Sequence, residues 1–591
     1  LRPIAFLLPL FLPFAALPAQ AQQPPAPALA TTDADARLRA LYEREWSWRQ
    51  QQFAQVPDGE GGDEPADHLP RVDPAAQAER LAYWQAALAE LDTIPLDRLS
   101  AEEQINAAVL RTSLEAFVAN GQHRDWEMPL NADSNFWSYL AGQRAFADAE
   151  DYRRYLGRMR DVPRYFDEQI ANMRAGLARG FSVPRVTLEG RDASIAAHAV
   201  AQPQDNPFWT PFVAMPAGIP AAEQAALQTE AKAVIAGAVV PAYEKLLAFF
   251  REEYLPQTRT TLAARDLPDG PAFYAAQIRE YTTLELSAEQ IHAIGLSEVG
   301  RIEAEMQVTM AEAGHTGTFA EFLQFLRTDP RFTARDPDEL LGYASLISKR
   351  ADGELKNVIG RLPRYRFTIL PVPAAIAPFY TAGRGGLEAC YMNTHDLPSR
   401  PLYNIAALVL HECNPGHSLQ AAIALEGPAR PAFRRQTYFS GYGEGWGLYT
   451  EWLGIGMGIY RTPYERFGRE TYEMWRAARL VIDTGIHHYG WSREQAIAYL
   501  ADRTALSRHE VETEVDRYIS WPGQALAYKL GELTIRRKRA DAEAALGAGF
   551  DQRRFHDLVL DLGSVPLPVL EQQVDRWIAA GGPPVHGEEG A

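Results

Sequence analysis

The chain has 591 residues, of which 47% are hydrophobic and 23% charged, an ordinary globular balance that excludes a low-complexity polymer. Its net charge of −18 argues against nucleic acid or an anionic membrane as partner, because both would repel the chain at long range. Two cysteines, Cys390 and Cys413, exclude a disulfide scaffold; a single bridge stays open, and Cys413 reads first as a buried small hydrophobe.

Taken from the N-terminus, Ile4 to Leu17 is apolar, Arg2 is the one cation before it, and Ala19 and Ala21 flank Gln20. This pattern predicts a secretory signal peptide over 1–21, cut after Ala21, because the run is shorter than the ~20 residues of a spanning helix and contains prolines. No later segment reads as apolar enough to span a bilayer, so stable membrane insertion after cleavage is not expected. Residues 22–32, rich in Pro, Ala and Gln, predict a flexible linker.

From Asp33 to Trp577 the period is helical. Ser100 with Glu103, Ser287 with Gln290 and Ser492 with Gln495 predict capping boxes, each followed by apolar residues at helical spacing such as Ile291, Ile294, Val299, Ile302 and Met306. No fixed-period repeat is present, which excludes a solenoid. The stretch from Tyr365 to Thr394 breaks the pattern with β-branched and aromatic alternation and a Gly-rich turn. It predicts a small sheet, with Leu387 to Thr394 as a strand just upstream of the segment that carries the chemistry. An edge strand there could pair with an extended peptide, or serve only as a structural hairpin. Residues 581–591 predict a disordered tail, leaving 33–580 as a single domain.

The segment "LVLHECNPGHSLQ" looks like the helix of a zinc peptidase with its second histidine displaced. In HExxH the histidines are four apart and about 40° apart around a helix; His411 and His417 are six apart, about 240° on an unbroken helix. Between them, Pro415 removes a helix hydrogen bond and Gly416 permits unusual dihedrals, so a kink or bulge is expected to turn His417 back toward His411. The apolar run Tyr403 to Leu410 predicts a buried helix that carries His411 inward, and an ionic Glu412 at its end fits a general base acting on a metal-activated water. A catalytic zinc takes three protein ligands. "GYGEGWGLYTEWLG" offers Glu444 as the third and Glu451, seven residues on and on the same helix face, as the group that orients a ligand histidine. Further along, His487 and Tyr528 are candidate oxyanion donors, Arg517 a candidate carboxylate-binding group, and Tyr518 and Asp483 candidate supporting residues.

"HECNPGHSLQ", "GEGWGLYTEWL", "IDTGIHHYGWSREQAIAYL" and "DRYISWPGQALAYKLGELTIRR" together resemble the bacterial family called domain of unknown function 885, over nearly all of the mature chain. That family looks like a distant relative of helical gluzincin peptidases, in which a glutamate about two dozen residues beyond the second histidine completes the zinc site. Glu444 follows His417 by 27 positions (444 − 417) and suits this; a downstream Tyr of that group supports Tyr528. The widened histidine spacing and Ser418, where many relatives have a further His, depart from the pattern. The resemblance implies a mainly α fold, a large two-lobed helical body with a deep central cleft and a small β-sheet beside the active-site helix. With the signal pattern, it implies a bacterial periplasmic or extracellular peptidase with one Zn2+ per chain and peptide substrates. A non-catalytic periplasmic peptide- or ligand-binding protein, or a metal-dependent hydrolase of other amides or esters, are the competing readings. Glu412 discriminates the first, since a pure binder has no need of it.

Overall fold

The computed structural model describes residues 33–57, 63–132, 134–142, 145–374 and 377–586. The expected signal peptide and linker lie outside the described residues, as do 587–591 of the expected tail. Residues 581–586 are held: Gly581 and Gly582 close the last helix by hydrogen bonds to Ile578 and Trp577, Trp577 Nε1 donates to the carbonyl of Pro583, and His586 pairs with Asp561 at 2.7 Å.

The fold is mainly α with a small three-stranded sheet, because most of the chain carries apolar residues at helical spacing behind good caps. The boxes at Ser287 and Ser492 form with both reciprocal hydrogen bonds. Ser100 caps no N–H with its side chain. Its partner Glu103 is buried and bound to Arg39 and Asn106, while Asp35 accepts the Ser100 N–H instead.

Apolar side chains collect into two main clusters. One, built on helix Ala149–Ala178 and the continuous helical run Ala221–Gln257, encloses Trp137, Phe166, Phe208 and Tyr243. The run from Ala221 corrects one expectation: an 18-residue window in it has a mean hydropathy of 1.6 and passes as a membrane span on length and composition. Its Leu227, Val239, Leu246 and Phe250 are buried in this cluster. The larger cluster is threaded by helix Pro463–Thr484, packed between Ala288–Glu312 and Leu402–Glu412. Gly295 lets the first of these approach, since a methyl there would stand 2.8 Å from Leu480 Cβ.

In the sheet, Thr368–Pro371 runs parallel to Ala389–Met392, which pairs antiparallel with Gly383–Arg384; Ile369 faces Cys390 and Arg384 faces Tyr391. The strand predicted over Leu387 to Thr394 is thus the shorter central strand, and Gly383–Arg384 is an edge. Cys390 and Cys413 form a disulfide with 5.6 Å between their Cα atoms, which corrects the reading of Cys413 as a lone buried hydrophobe. The bridge ties the central strand to the segment that follows His411.

Candidate metal centre

Helix Leu402–Glu412 is buried along its length, as its apolar sequence requires, and ends on His411 and Glu412. The expected kink is a complete break. Residues 413–416 form a turn with a cis Asn414–Pro415 bond, and a new helix, His417–Glu426, starts on the second histidine. Gly416 fits where no side chain could, since a methyl would lie 1.8 Å from the carbonyl oxygen of His411. Trp446 Nε1 donates to the Pro415 carbonyl at 2.9 Å and holds the turn against helix Ser440–Gly456. The histidines therefore sit on two helices and converge through the turn, their ring centroids 4.9 Å apart.

Glu444 closes the triangle. Its Oε2 stands 3.4 Å from His411 Nε2 and 3.4 Å from His417 Nε2, and donor atoms of the three residues all lie within 4.8 Å of one another. A direct charge-assisted hydrogen bond would be shorter, about 2.7–2.9 Å. Two donors of a tetrahedral zinc with arms of about 2.1 Å stand about 3.4 Å apart. The separations fit a shared cation better than a plain ion pair, and two imidazoles with one carboxylate are a zinc-type donor set.

Glu451 lies on the far side of His411, its Oε1 2.8 Å from Nδ1, with Arg476 3.6 Å behind it. A carboxylate there accepts the Nδ1 hydrogen bond and fixes the ring with Nε2 facing Glu444. Side-chain exposure is 3% for His411 and 2% for Glu451 but 19% for His417 and 18% for Glu444, so the centre opens to solvent on the His417 side. Burial opposes charge on His411, but Glu444, Glu451 and Glu412 outweigh it and raise its pKa to about 10; His417 is raised for similar reasons. Burial likewise opposes ionisation of Glu444, and the two imidazoles hold its pKa well below the usual carboxylate range.

Glu412 Oε2 accepts the backbone N–H of Gly385 at 2.6 Å, beside the edge strand. Gly385 has to be small, because a methyl would strike the Glu412 carbonyl at 2.1 Å and His417 Cβ at 2.7 Å. Gly447 gives His411 its place: a methyl there would lie 2.7 Å from Cε1 and Nε2 of the imidazole. Tyr528 stacks over His411 with centroids 6.4 Å apart. Its helix, Ala527–Leu546, is anchored by buried Lys529, which reaches Glu298, Glu473 and Glu532 at 2.9–3.0 Å.

The family described as bacterial protein of unknown function, DUF885, matches residues 58–574. The chain belongs to this family. Two solved structures share the fold. A candidate lipoprotein from Colwellia psychrerythraea is 26% identical with a TM-score of 0.86, over 93% of this chain and 100% of that one. A candidate lipoprotein of unknown function from Shewanella oneidensis is 17% identical with a TM-score of 0.65, over 92% and 99%, and bears on fold alone. No functionally curated protein matches the chain.

Within this DUF885 chain, the other sequence candidates fall away from the centre. His487 is fully buried, and both ring nitrogens are committed: Nδ1 accepts the Ala264 N–H at 3.0 Å and Nε2 meets the Tyr518 carbonyl at 2.9 Å. Burial lowers its pKa to about 3, so it is no oxyanion donor but a neutral strut. Asp483, also fully buried, accepts the Tyr274 hydroxyl at 2.6 Å and the Gly523 N–H, and burial raises its pKa to about 7. The Tyr518 hydroxyl is shared among Trp475, Arg479 and Glu514. Arg517 donates to Gln524 at 2.8 Å and lies 3.4 Å from the Tyr528 hydroxyl, so it supports Tyr528 rather than awaiting a carboxylate.

Two residues near the centre escaped the sequence reading. The Tyr438 hydroxyl lies 3.3 Å from Glu444 Oε1, while the residue as a whole is 56% exposed. Gly443 admits it, since a methyl would strike the Tyr438 hydroxyl at 2.3 Å; the glycine beside Glu444 was the available signal. Arg384, on the edge strand, has its pKa raised chiefly by Tyr380 and further by Glu412, which brings a cation within the field of the Glu412 carboxylate.

Proposed function

We propose that this chain is an exported zinc-dependent peptidase acting on short or unfolded peptides. The observation that carries the reading is the pair of 3.4 Å separations linking His411, His417 and Glu444, with Glu412 next to them in the chain. Those three residues would hold the ion through the two Nε2 atoms and Glu444 Oε2. When bound, a zinc ion supplies Lewis acidity toward a scissile carbonyl and acidifies a water molecule. Glu412, fixed through Oε2 by Gly385, takes that proton on Oε1 and passes it to the leaving amine. Glu451 keeps His411 in the tautomer that presents Nε2. The hydroxyls of Tyr438 and Tyr528 are the donors toward the carbonyl oxygen as negative charge grows on it.

The edge strand Gly383–Arg384 supports a peptide over other acyl substrates, because an extended chain can hydrogen-bond to it without side-chain requirements. A wide cleft between helical lobes would give such a chain access. The disulfide supports export, since such bonds persist in oxidising compartments. The N-terminal signal pattern points the same way, and so do the two structural neighbours described as candidate lipoproteins. We assign the protein to the bacterial envelope or beyond on these grounds, with no nucleic-acid partner.

Elemental analysis of purified protein tests the assignment. Wild type should carry one zinc per chain, Glu444→Ala none, and Glu451→Ala most of it. Loss of metal from Glu451→Ala but not Glu444→Ala would overturn the ligand choice. Glu412→Gln should keep its metal and lose turnover on a mixed-peptide library; undiminished turnover would remove Glu412 as base.

A further inference from the structure

A cavity of about 400 Å3 lies where Asp125, Leu130, Asn131 and Phe136 meet helix Gly270–Thr282 and the end of helix Arg508–Ser520. Its wall is aromatic, with Phe136, Phe273, Tyr281 and Trp521, and the last two are locked together by a 2.6 Å hydrogen bond from Trp521 Nε1 to the Tyr281 hydroxyl. Asp125 lines it, and its carboxylate stands close enough to Glu280 to disfavour ionisation there.

Neither acid has an ion-pair partner among the described residues, although each follows an arginine in the chain. Arg124 and Arg179 both turn to buried Glu127, and Arg279 forks onto Glu285 at 2.6 and 2.8 Å. Among the described residues, the Asp125 carboxylate meets only the Trp126 N–H, and Glu280 only the amides of Asn120 and Gln277 at 3.0 and 3.3 Å. Burial raises Asp125 to about 6 and Glu280 to about 7, the mark of negative charge without a counterion. Aromatic faces around a carboxylate favour an organic cation over a metal ion, since the ring quadrupole and the charge then act on one group.

The cavity shares a neighbouring cluster with the candidate centre. Tyr281 lines the cavity and packs against the small cluster of Leu448, Ala527 and Tyr528, and Tyr528 stacks on His411.

We propose that this cavity is a subsite for a cationic group of the substrate, an ammonium or guanidinium held between Asp125, Glu280 and the aromatic wall. The proposal rests on the peptidase reading only for the identity of the larger molecule that carries the cation. Basic side chains and the free amino terminus of a peptide share the required chemistry.

Calorimetric titration of the full-length protein with three probes tests it. N-acetyl-arginine amide carries only a side-chain cation, alanine amide only an α-ammonium, and N-acetyl-norleucine amide no charge. At least one cationic probe should bind ten or more times more tightly than the neutral one, and whichever does identifies the source. Asp125→Asn should abolish that margin, Glu280→Gln should reduce it, and Glu412→Gln should leave it unchanged. Equal binding of charged and neutral probes to the wild type overturns the proposal, as does an unaltered margin in a folded Asp125→Asn protein. If Asp125→Asn does not fold, the wild-type contrast decides alone. Charge-selective binding without hydrolysis of any peptide would sink the peptidase reading and keep the subsite; hydrolysis without charge-selective binding would do the reverse.

Discussion

Gly447→Ala is the sharpest test of the centre's geometry. Gly447 lies within helix Ser440–Gly456, where propensity alone favours alanine by about 1 kcal/mol. The added methyl would stand 2.7 Å from Cε1 and Nε2 of His411, against an ordinary contact of about 3.5 Å. The imidazole must then retreat by roughly 0.8 Å, several times the ~0.2 Å tolerance of a metal–ligand distance. Overpacking of this kind costs about 1–3 kcal/mol, and steric strain outweighs propensity. Expressed on metal binding, that range is a loss of about 5- to 150-fold in affinity. Competition against a chromogenic chelator measures it. Gly353→Ala is the control, because Gly353 is in the interior of an exposed helix face with open space around it; it should keep wild-type affinity and gain up to about 1 kcal/mol in stability. A Gly447→Ala protein with undiminished zinc affinity would refute the placement of His411 as a ligand.

Replacing both Cys390 and Cys413 by serine should lower the unfolding free energy by about 3 kcal/mol, from the 23-residue separation they close, measured by denaturant titration; an unchanged midpoint would count against the bridge. His487 should stay neutral in the native state well below pH 6, which histidine NMR would read directly. Its folded pKa of about 3 lies below the unfolded value of about 6.5, so its contribution is fully present above 6.5 and is lost as pH falls toward 3. His487→Gln should flatten stability over that window, and a slope equal to wild type would contradict the assignment. Tyr438→Phe should keep metal while lowering peptide turnover about 10²-fold, the usual effect of removing one oxyanion donor; full turnover would exclude its hydroxyl from the reaction.

The convergence of His411 and His417 was legible because its cause is local, a proline and a glycine that interrupt a helix; Glu444, on a separate helix, was legible from the interval of 27 residues past His417 that the resemblance implies. The extent of the break was not, since the anchoring of the turn by Trp446 depends on a helix some thirty residues away. Glu451 was legible from its seven-residue interval to Glu444 on one helix face. His487 was misread because a histidine with two backbone partners looks, in sequence, like a histidine with none. Ser100 failed as a box because Glu103 found a stronger partner in Arg39, a competition between elements that no window of sequence contains. Cys390 and Cys413 pair because a strand and a turn come together, which their 23-residue interval does not reveal.

A turn closes by its own geometry, not by counting residues, so an alpha-helical interval is the wrong ruler for this centre. With the imidazoles on separate helices, the quantity to preserve is where the second helix begins. Relatives with longer or shorter connections could keep the same triangle, and a pattern search fixed on one spacing would pass over them.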